Sequence, residues 1–313
     1  MNFENIKLVP RQLSYIKSRN DVILSIPFGN INLSMPILHS PMDTIGSIEM
    51  AKLFRQNNLL GCLPRKSFFK NSNLGAIVSI GLSESELYNL KHTSPIFGNY
   101  YFLIDVANGF NSNIEAIINK IKYKYENVFI IAGNVASAEG YKYLASLDVD
   151  AIRVGIGIGS HCLTTINTGI GQSLIDSVIE CYKASLEIQD SPLIIADGGM
   201  STVGEIVKAL AVGADLVMLG SMFAGTTETP GNIILHNKEK YKIYRGSASY
   251  ASQLNFKENP YYIEGEETLV KYKGSAQKVL DKIDAGLRSA FSYLGANNMS
   301  DFRIISKESI KYV

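Results

Sequence analysis

The sequence predicts an α/β fold, a (β/α)8 TIM barrel, and three observations carry that prediction. Eight short apolar runs recur along the chain. Most are apolar throughout rather than alternating, as strands covered on both faces of a parallel sheet must be. Longer amphipathic stretches lie between them, giving the strand–helix alternation of that architecture. The length of 313 residues suits one closed barrel.

The runs fall at residues 36–39, 59–63, 76–80, 101–105, 128–131, 151–154, 193–196 and 216–219. Helical spacing predicts helices at 48–56, 113–123, 138–146, 174–186 and 203–212, with a last amphipathic helix near 279–294. Eight strands favour a closed barrel over an open, doubly wound sheet. No break in composition divides the chain, so one catalytic domain is expected over 1–313. Two stretches stand outside the pattern. Residues 1–33 precede the first strand. Residues 221–274 separate the eighth strand from the last helix and hold Tyr250, Phe256, Tyr261, Tyr262 and the charged turn Glu264-Gly-Glu-Glu267. Long excursions on a barrel's catalytic face act as lids, so a mobile flap is expected there.

Composition narrows the function classes. The chain is 46% hydrophobic and 19% charged, and its 30 basic and 29 acidic residues leave a net charge of +1. No global field favours nucleic acid or a membrane surface, so a nucleotide partner needs a local anion site. Three cysteines, Cys62, Cys162 and Cys181, argue against a disulfide framework and for a reducing compartment. The amino-terminal run is mixed in character and no segment approaches a membrane span, so a cytoplasmic enzyme is expected. The histidines, at 39, 92, 161 and 236, form no metal-ligand spacing with the cysteines. A structural role is expected for His161.

In such a barrel the active site forms at the carboxyl ends of the strands. Strand 1 leads into Ser40-Pro-Met-Asp-Thr44, strand 4 into Asp105-Val-Ala-Asn-Gly109 and strand 5 into Ala132-Gly-Asn-Val135. Strands 7 and 8 lead into Asp197-Gly-Gly199 and Gly220-Ser221. Glycine turns at both of those ends let backbone N–H groups approach an anion, the usual barrel phosphate site. Either turn alone would be no more than a tight connection. Asp197 suits a ribose diol, because a carboxylate accepts from two hydroxyls, and Ser160 and Ser221 offer hydroxyl donors. After strand 6, Gly155-x-Gly157-x-Gly159 delivers Cys162 to the mouth. A thiolate there can attack an electron-poor ring carbon, with Thr164 or Thr165 relaying a proton. Cys62 and Cys181 fall on a strand and within a helix, where inert buried thiols are usual.

Taken in order, these motifs resemble the IMP dehydrogenase/GMP reductase family along almost the whole chain. The matching stretches are Ser18-Arg-Asn-Asp-Val22, Pro41-Met-Asp-Thr44, Ile131-Ala-Gly-Asn-Val135, Val154-Gly-x-Gly-x-Gly-Ser-x-Cys162, Ala196-Asp-Gly-Gly199, Met218-Leu-Gly-Ser221 and Tyr244-x-Gly246. The resemblance implies that Cys162 forms a covalent adduct at purine C2, where a nicotinamide cofactor exchanges hydride. It implies nucleotide contacts at Ser160, Asp197, Gly198, Gly199, Gly220, Ser221, Tyr244, Gly246 and Ser247. Asp105, Ala107, Asn134 and Lys66 then fall on the cofactor side, and a K+ falls on the backbone of Gly155, Gly157 and Cys162.

Within the family the chain is most similar to the GMP reductases. Only residues 67–75 separate Lys66 from Ala76, so the regulatory insertion usual in the dehydrogenases is absent. The dehydrogenases carry a flap Arg-Tyr pair, and residues 254–265 here contain no arginine. The reductases pair a threonine after the cysteine with a flap glutamate, and Thr164 and Glu264 stand at the matching positions. Asp105-Val-Ala-Asn-Gly109, Thr168-Gly-x-Gly171 and Gly246-Ser-Ala-Ser249 are also reductase-like, whereas Ser-Pro-Met-Asp and Tyr-Arg-Gly are more dehydrogenase-like. Two stretches depart from the family. The turn after Gly171 reads Gln-Ser-Leu rather than Tyr-Pro-Gln, and Leu63-Pro-Arg-Lys-Ser67 stands where His-Lys is common, leaving Arg65 or Lys66 for that lysine. The implied activity is reductive deamination of GMP to IMP and ammonia with NADPH, NADH remaining open, in a homotetramer. Two alternatives stay open: an IMP dehydrogenase without its regulatory domains, oxidising IMP to XMP with NAD, and a non-catalytic purine-nucleotide-binding protein.

Overall fold

The computed structural model describes residues 1–65, 75–83, 86, 95–159, 162–255 and 259–313. Eight parallel strands form its centre: β1 (Ile37–His39), β2 (Cys62–Leu63), β3 (Ile77–Ile80), β4 (Tyr100–Asp105), β5 (Val128–Val135), β6 (Ala151–Val154), β7 (Leu193–Asp197) and β8 (Leu216–Leu219). They hydrogen-bond in the order β1-β8-β7-β6-β5-β4-β3-β2 and alternate with helices, the (β/α)8 arrangement expected. Each expected strand is present. β5 runs four residues further than its apolar run, to Val135, and β2 shrinks to two residues.

Among the described residues β2 is paired along one edge only. No backbone ladder joins β1 to β2 among the described residues; the ring of His39 spans that seam. Its Nε2 accepts from the Cys62 N–H at 3.0 Å, and its Nδ1 lies 3.1 Å from the Ser40 carbonyl. That carbonyl can only accept, so the partners fix the neutral tautomer protonated on Nδ1. Gly61 makes the approach possible, since a Cβ there would lie 2.6 Å from the Ala51 Cα and 2.9 Å from Nε2. The imidazole is wholly buried, and desolvation pushes its pKa down to about 4.

The outer layer follows from amphipathic spacing and capping. Helix α1 (Ile48–Gln56) follows β1, α2 (Asn113–Lys124) follows β4 and α3 (Ala138–Ser146) follows β5. A short α4 (Thr164–Thr168) and then α5 (Leu174–Ser185) follow β6, and α6 (Val203–Ala211) follows β7. Ser47, Ser137, Ser173 and Thr202 cap four of these through their side-chain oxygens. In α2, Ile114, Ile117, Ile118 and Ile121 form the buried stripe against the barrel.

Residues 221–274 hold more regular structure than a lid loop needs. Strands Ile234–His236, Glu239–Arg245 and Glu267–Lys271 form an antiparallel sheet, with a four-residue helix α7 (Tyr250–Gln253) between the second and third. Helix α8 (Gln277–Leu294) matches the expected last helix, but α9 (Met299–Ser309) follows it and leads to Ile310–Tyr312, which pairs with Ile6–Leu8. The leading segment also supplies a hairpin, Ile26–Phe28 with Ile31–Leu33. Its Phe28 packs on Phe129 with ring centroids 4.4 Å apart, and Tyr101 donates to the Phe28 carbonyl at 3.0 Å, covering the amino-terminal ends of β4 and β5. Among the described residues no helix is long and apolar enough to cross a membrane.

Candidate active site

A cavity of about 320 Å³ opens at the carboxyl ends of the strands, at the small end of the range for ligand pockets. Its wall divides into two arcs. One arc is backbone-rich, built from the turns after β6, β7 and β8 with Gly155, Gly157, Gly198, Gly199, Gly220 and Ser221. Gly155 and Gly198 hold φ of +137° and +108°, conformations that favour glycine. A side chain at Gly155 would also overlap the Asp197 carbonyl. The other arc carries side chains: Arg65 beyond β2, Asp105 and Ala107 at the end of β4, and Asn134 in β5.

Beneath both arcs lies a buried cation. Arg153, in the middle of β6, is 5% exposed. Its Nη1 donates to Asp105 Oδ1 at 2.5 Å and its Nη2 to Asp197 Oδ2 at 2.7 Å. Burial works to lower its pKa, but the two carboxylates outweigh that and hold it above the ordinary value. Asn134 Nδ2 adds donations to Asp197 Oδ2 at 2.8 Å and to the Gly155 carbonyl at 2.7 Å. One network thus ties the end of β4 to the turns after β6 and β7. Higher on the side-chain arc, Arg65 donates through Nε and Nη2 to the Glu86 carboxylate at 3.1 and 2.5 Å, and that carboxylate also accepts from the Gly81 N–H at 2.6 Å.

The Cys162 thiol belongs to the turn after β6. The Cys162 N–H donates to the Gly159 carbonyl at 3.0 Å, closing the turn. Cys162 Sγ donates to Thr164 Oγ1 at 3.3 Å, and Thr164 Oγ1 donates to Glu264 Oε2 at 2.7 Å. The backbone brings Glu264 across a hundred residues of sequence. The Leu163 N–H donates to the Glu264 carbonyl at 2.8 Å, the Glu264 N–H donates to the Ala248 carbonyl at 3.2 Å, and Gly265 forms bridges to both Cys162 and Ser249. Gly265 has no room for a Cβ, which would lie 2.7 Å from the Ser249 nitrogen. Side chains add a latch: Tyr262 OH donates to the Asn167 carbonyl at 2.6 Å, and Asn167 Nδ2 donates to the Ile263 carbonyl at 2.8 Å.

Of the two threonines the sequence leaves open, Thr164 meets the cysteine. Thr165 Oγ1 instead donates to the Gly157 and Ile170 carbonyls, each at 3.0 Å. The Gly155 and Gly157 carbonyls, expected to face a K+, therefore each accept a side-chain donor already. Tyr244, Gly246 and Ser247 line the cavity from the 221–274 segment, and Asp197 and Ala107 line it from the barrel. Lys66, Ser160 and His161 lie outside the described residues, and Arg65 is the member of the Arg65–Lys66 pair described on the cavity wall.

Sequence reasoning missed several participants. Arg153 reads as a lone interruption of an apolar run; a charge inside a doubly covered strand was the available signal. Ser40 and Met42 line the cavity, although only their loop had been singled out. Arg245 pairs with Asp43 through Nη2 at 2.8 Å and with Glu267 through Nη1 at 3.2 Å, joining the 221–274 segment to the loop after β1.

Fold and cavity together define a (β/α)8 barrel whose mouth holds a thiol, a hydroxyl and a carboxylate in one chain of hydrogen bonds, beside paired glycine turns. The family model described as IMP dehydrogenase / GMP reductase domain matches residues 69–311, and the chain belongs to that family. Among curated relatives it is 33% identical to the GMP reductase of Staphylococcus epidermidis over 316 residues, covering 97% of this chain and 94% of the relative. It is 34% identical to the GMP reductase of Ligilactobacillus salivarius over 330 residues, covering 99% and 97%. The GMP reductase of Lactobacillus gasseri is 32% identical over 323 residues, covering 99% and 94%.

Proposed function

We propose that the protein is an NADPH-dependent GMP reductase, a single-domain enzyme that converts GMP to IMP and ammonia. The observation that carries this reading is the Cys162–Thr164–Glu264 chain, in which the hydroxyl accepts from the thiol and donates to the carboxylate. That direction of donation lets the thiol proton pass through Thr164 to Glu264, leaving a thiolate to add to C2 of the purine. Glu264 then holds the proton that the 2-amino group needs to depart as ammonia, and Thr164 delivers it. Loss of ammonia leaves a thioimidate between Cys162 and C2.

A reduced nicotinamide bound on the side-chain arc, near Asp105, Ala107 and Asn134, would supply hydride to C2. Expulsion of the Cys162 thiolate then completes IMP. The residues on that arc suit an uncharged ring, since Asp105 is balanced by Arg153 and the Asn134 amide is already oriented. The backbone arc suits the phosphate, with N–H groups near Gly199, Gly220 and Ser221. Asp197 Oδ2 is taken up by Arg153 and Asn134, which leaves Oδ1 for a ribose hydroxyl. These remote contacts orient the ring over Cys162. The cytoplasm and a homotetramer are the setting the family resemblance suggests.

One spectrophotometer trace tests the proposal. With GMP present, absorbance at about 340 nm from NADPH should fall with release of one ammonia per turnover, and Cys162→Ala should abolish both. Formation of NADH from IMP and NAD+ would point instead to a dehydrogenase. GMP binding without turnover, unchanged in Cys162→Ala, would point to a binding protein.

A further inference from the structure

Lys242 is a lysine in an unusual place. It lies in the strand Glu239–Arg245, on the same buried face as Tyr244, and is only 3% exposed. Long cationic side chains are almost never fully buried without a carboxylate partner, yet its ammonium meets only neutral oxygens. It donates to the carbonyls of Thr226, Thr227 and Thr229 at 3.0, 3.1 and 2.5 Å, and lies 3.4 Å from Thr229 Oγ1. Three carbonyls match the three donors of an ammonium. Carbonyl oxygens converging on one point are also how proteins replace the hydration shell of a monovalent cation. Desolvation holds the Lys242 pKa below its ordinary value, with Glu228 nearby opposing that.

The cage sits where two walls of the cavity meet. One wall is the turn after β8, whose bonds run from the Gly220 carbonyl to the Phe223 and Ala224 N–H groups and on from the Phe223 carbonyl to Thr226. The other wall is the strand that carries Tyr244 and leads to Gly246 and Ser247. Tyr244 OH stands 3.2 Å from where a Gly220 Cβ would be, so the two walls touch at the cavity edge. Glu228, inside the cage segment, caps the start of α8 by accepting from Ser275 Oγ and the Ala276 N–H at 2.6 and 2.7 Å.

We propose that Lys242 is a positioning residue whose ammonium acts as a built-in monovalent cation, holding the Tyr244–Ser247 edge against the Gly220–Ser221 turn so that both can grip one nucleotide. This rests on the proposed reading of those two edges as nucleotide contacts. Lys242→Ala removes the charge and its stem, leaving four oxygens around a space that K+ or NH4+ can enter. Lys242→Met removes the charge but fills the space.

The test measures GMP and IMP affinity and thermal melting for wild type and both variants, in potassium or ammonium chloride against choline chloride at equal ionic strength. In choline, both variants should bind nucleotide about tenfold or more weakly, the usual effect of losing hydrogen bonds to a charged group. Potassium or ammonium should restore affinity and raise the melting temperature in Lys242→Ala beyond any change seen in wild type, and should do neither in Lys242→Met. Equal responses of all three proteins, or wild-type affinity in both variants, would overturn the proposal, as would failure of both variants to fold in any of the salts. If wild type itself binds neither GMP nor IMP, the nucleotide reading falls, while the cation-specific melting shift of Lys242→Ala still decides whether the cage exists.

Discussion

The floor and the roof of the cavity are held by different physics. The floor is Arg153 between Asp105 and Asp197, a desolvated cation fixed by two carboxylates. The roof is the 262–265 strap, held by backbone bridges and by the exposed bonds of Asn167 to Tyr262 and Ile263. Charges buried in a low-dielectric interior are strongly coupled to their partners, so removing one partner strands the rest. Hydrogen bonds at the surface exchange with water at small net change in free energy. A barrel enzyme needs both kinds: a floor that does not relax during chemistry and a roof that can lift to exchange ligands.

The contrast can be tested from its largest expected effect downward. Thr164→Val or Glu264→Gln breaks the side-chain bond between the turn after β6 and the roof, and GMP reduction should fall about 10²–10⁴-fold with little change in melting temperature. Arg153→Met removes the buried cation on which the half-buried Asp105 and Asp197 converge, and urea unfolding should show a loss of about 3 kcal/mol. The partly exposed Arg245–Asp43 pair provides the matched control, and Arg245→Met should lose no more than about 1 kcal/mol. An equal loss from the two arginines would remove the distinction between buried and screened charge.

Protonation probes the seam of the same barrel. An unfolded imidazole binds a proton below about pH 6.5, whereas folded His39 does so only near pH 4. The unfolded state therefore holds more protons between those values, and stability falls as the pH drops through that window. Between pH 7 and 5 the loss should be about 2 kcal/mol, read as a shift in the urea midpoint; a flat profile there would contradict the buried neutral ring. Tyr262→Phe should have the smallest effect. Losing one exposed hydrogen bond, worth about 1 kcal/mol, should let the roof open more often and raise the alkylation rate of Cys162 roughly fivefold.

The same contrast decided what could be read from the sequence. All eight strands were legible because both faces of each are covered, so most of their runs are apolar throughout. The sheet within 221–274 was not, because Glu267–Lys271 is largely exposed and the middle strand buries Lys242 beside Tyr244, breaking the alternation that marks a half-buried strand. Cys162 announced itself through its glycines. Arg153 did not, because one charge inside an apolar run looks like a flaw until its two carboxylates, 48 and 44 residues away, are placed beside it. The Thr164–Glu264 contact, 100 residues apart, follows from no local pattern and was legible only through family resemblance.

The Leu163–Glu264 backbone bond has a consequence for timing. Because Leu163, beside Cys162, holds the main chain of Glu264, the carboxylate is tied to the strap and goes where the strap goes. On the proposed reading, lifting the strap takes the Thr164–Glu264 hydrogen bond away from Cys162. In the proposed reaction, activating the thiol and covering it are then a single event, with the safety catch built into the fold of the backbone.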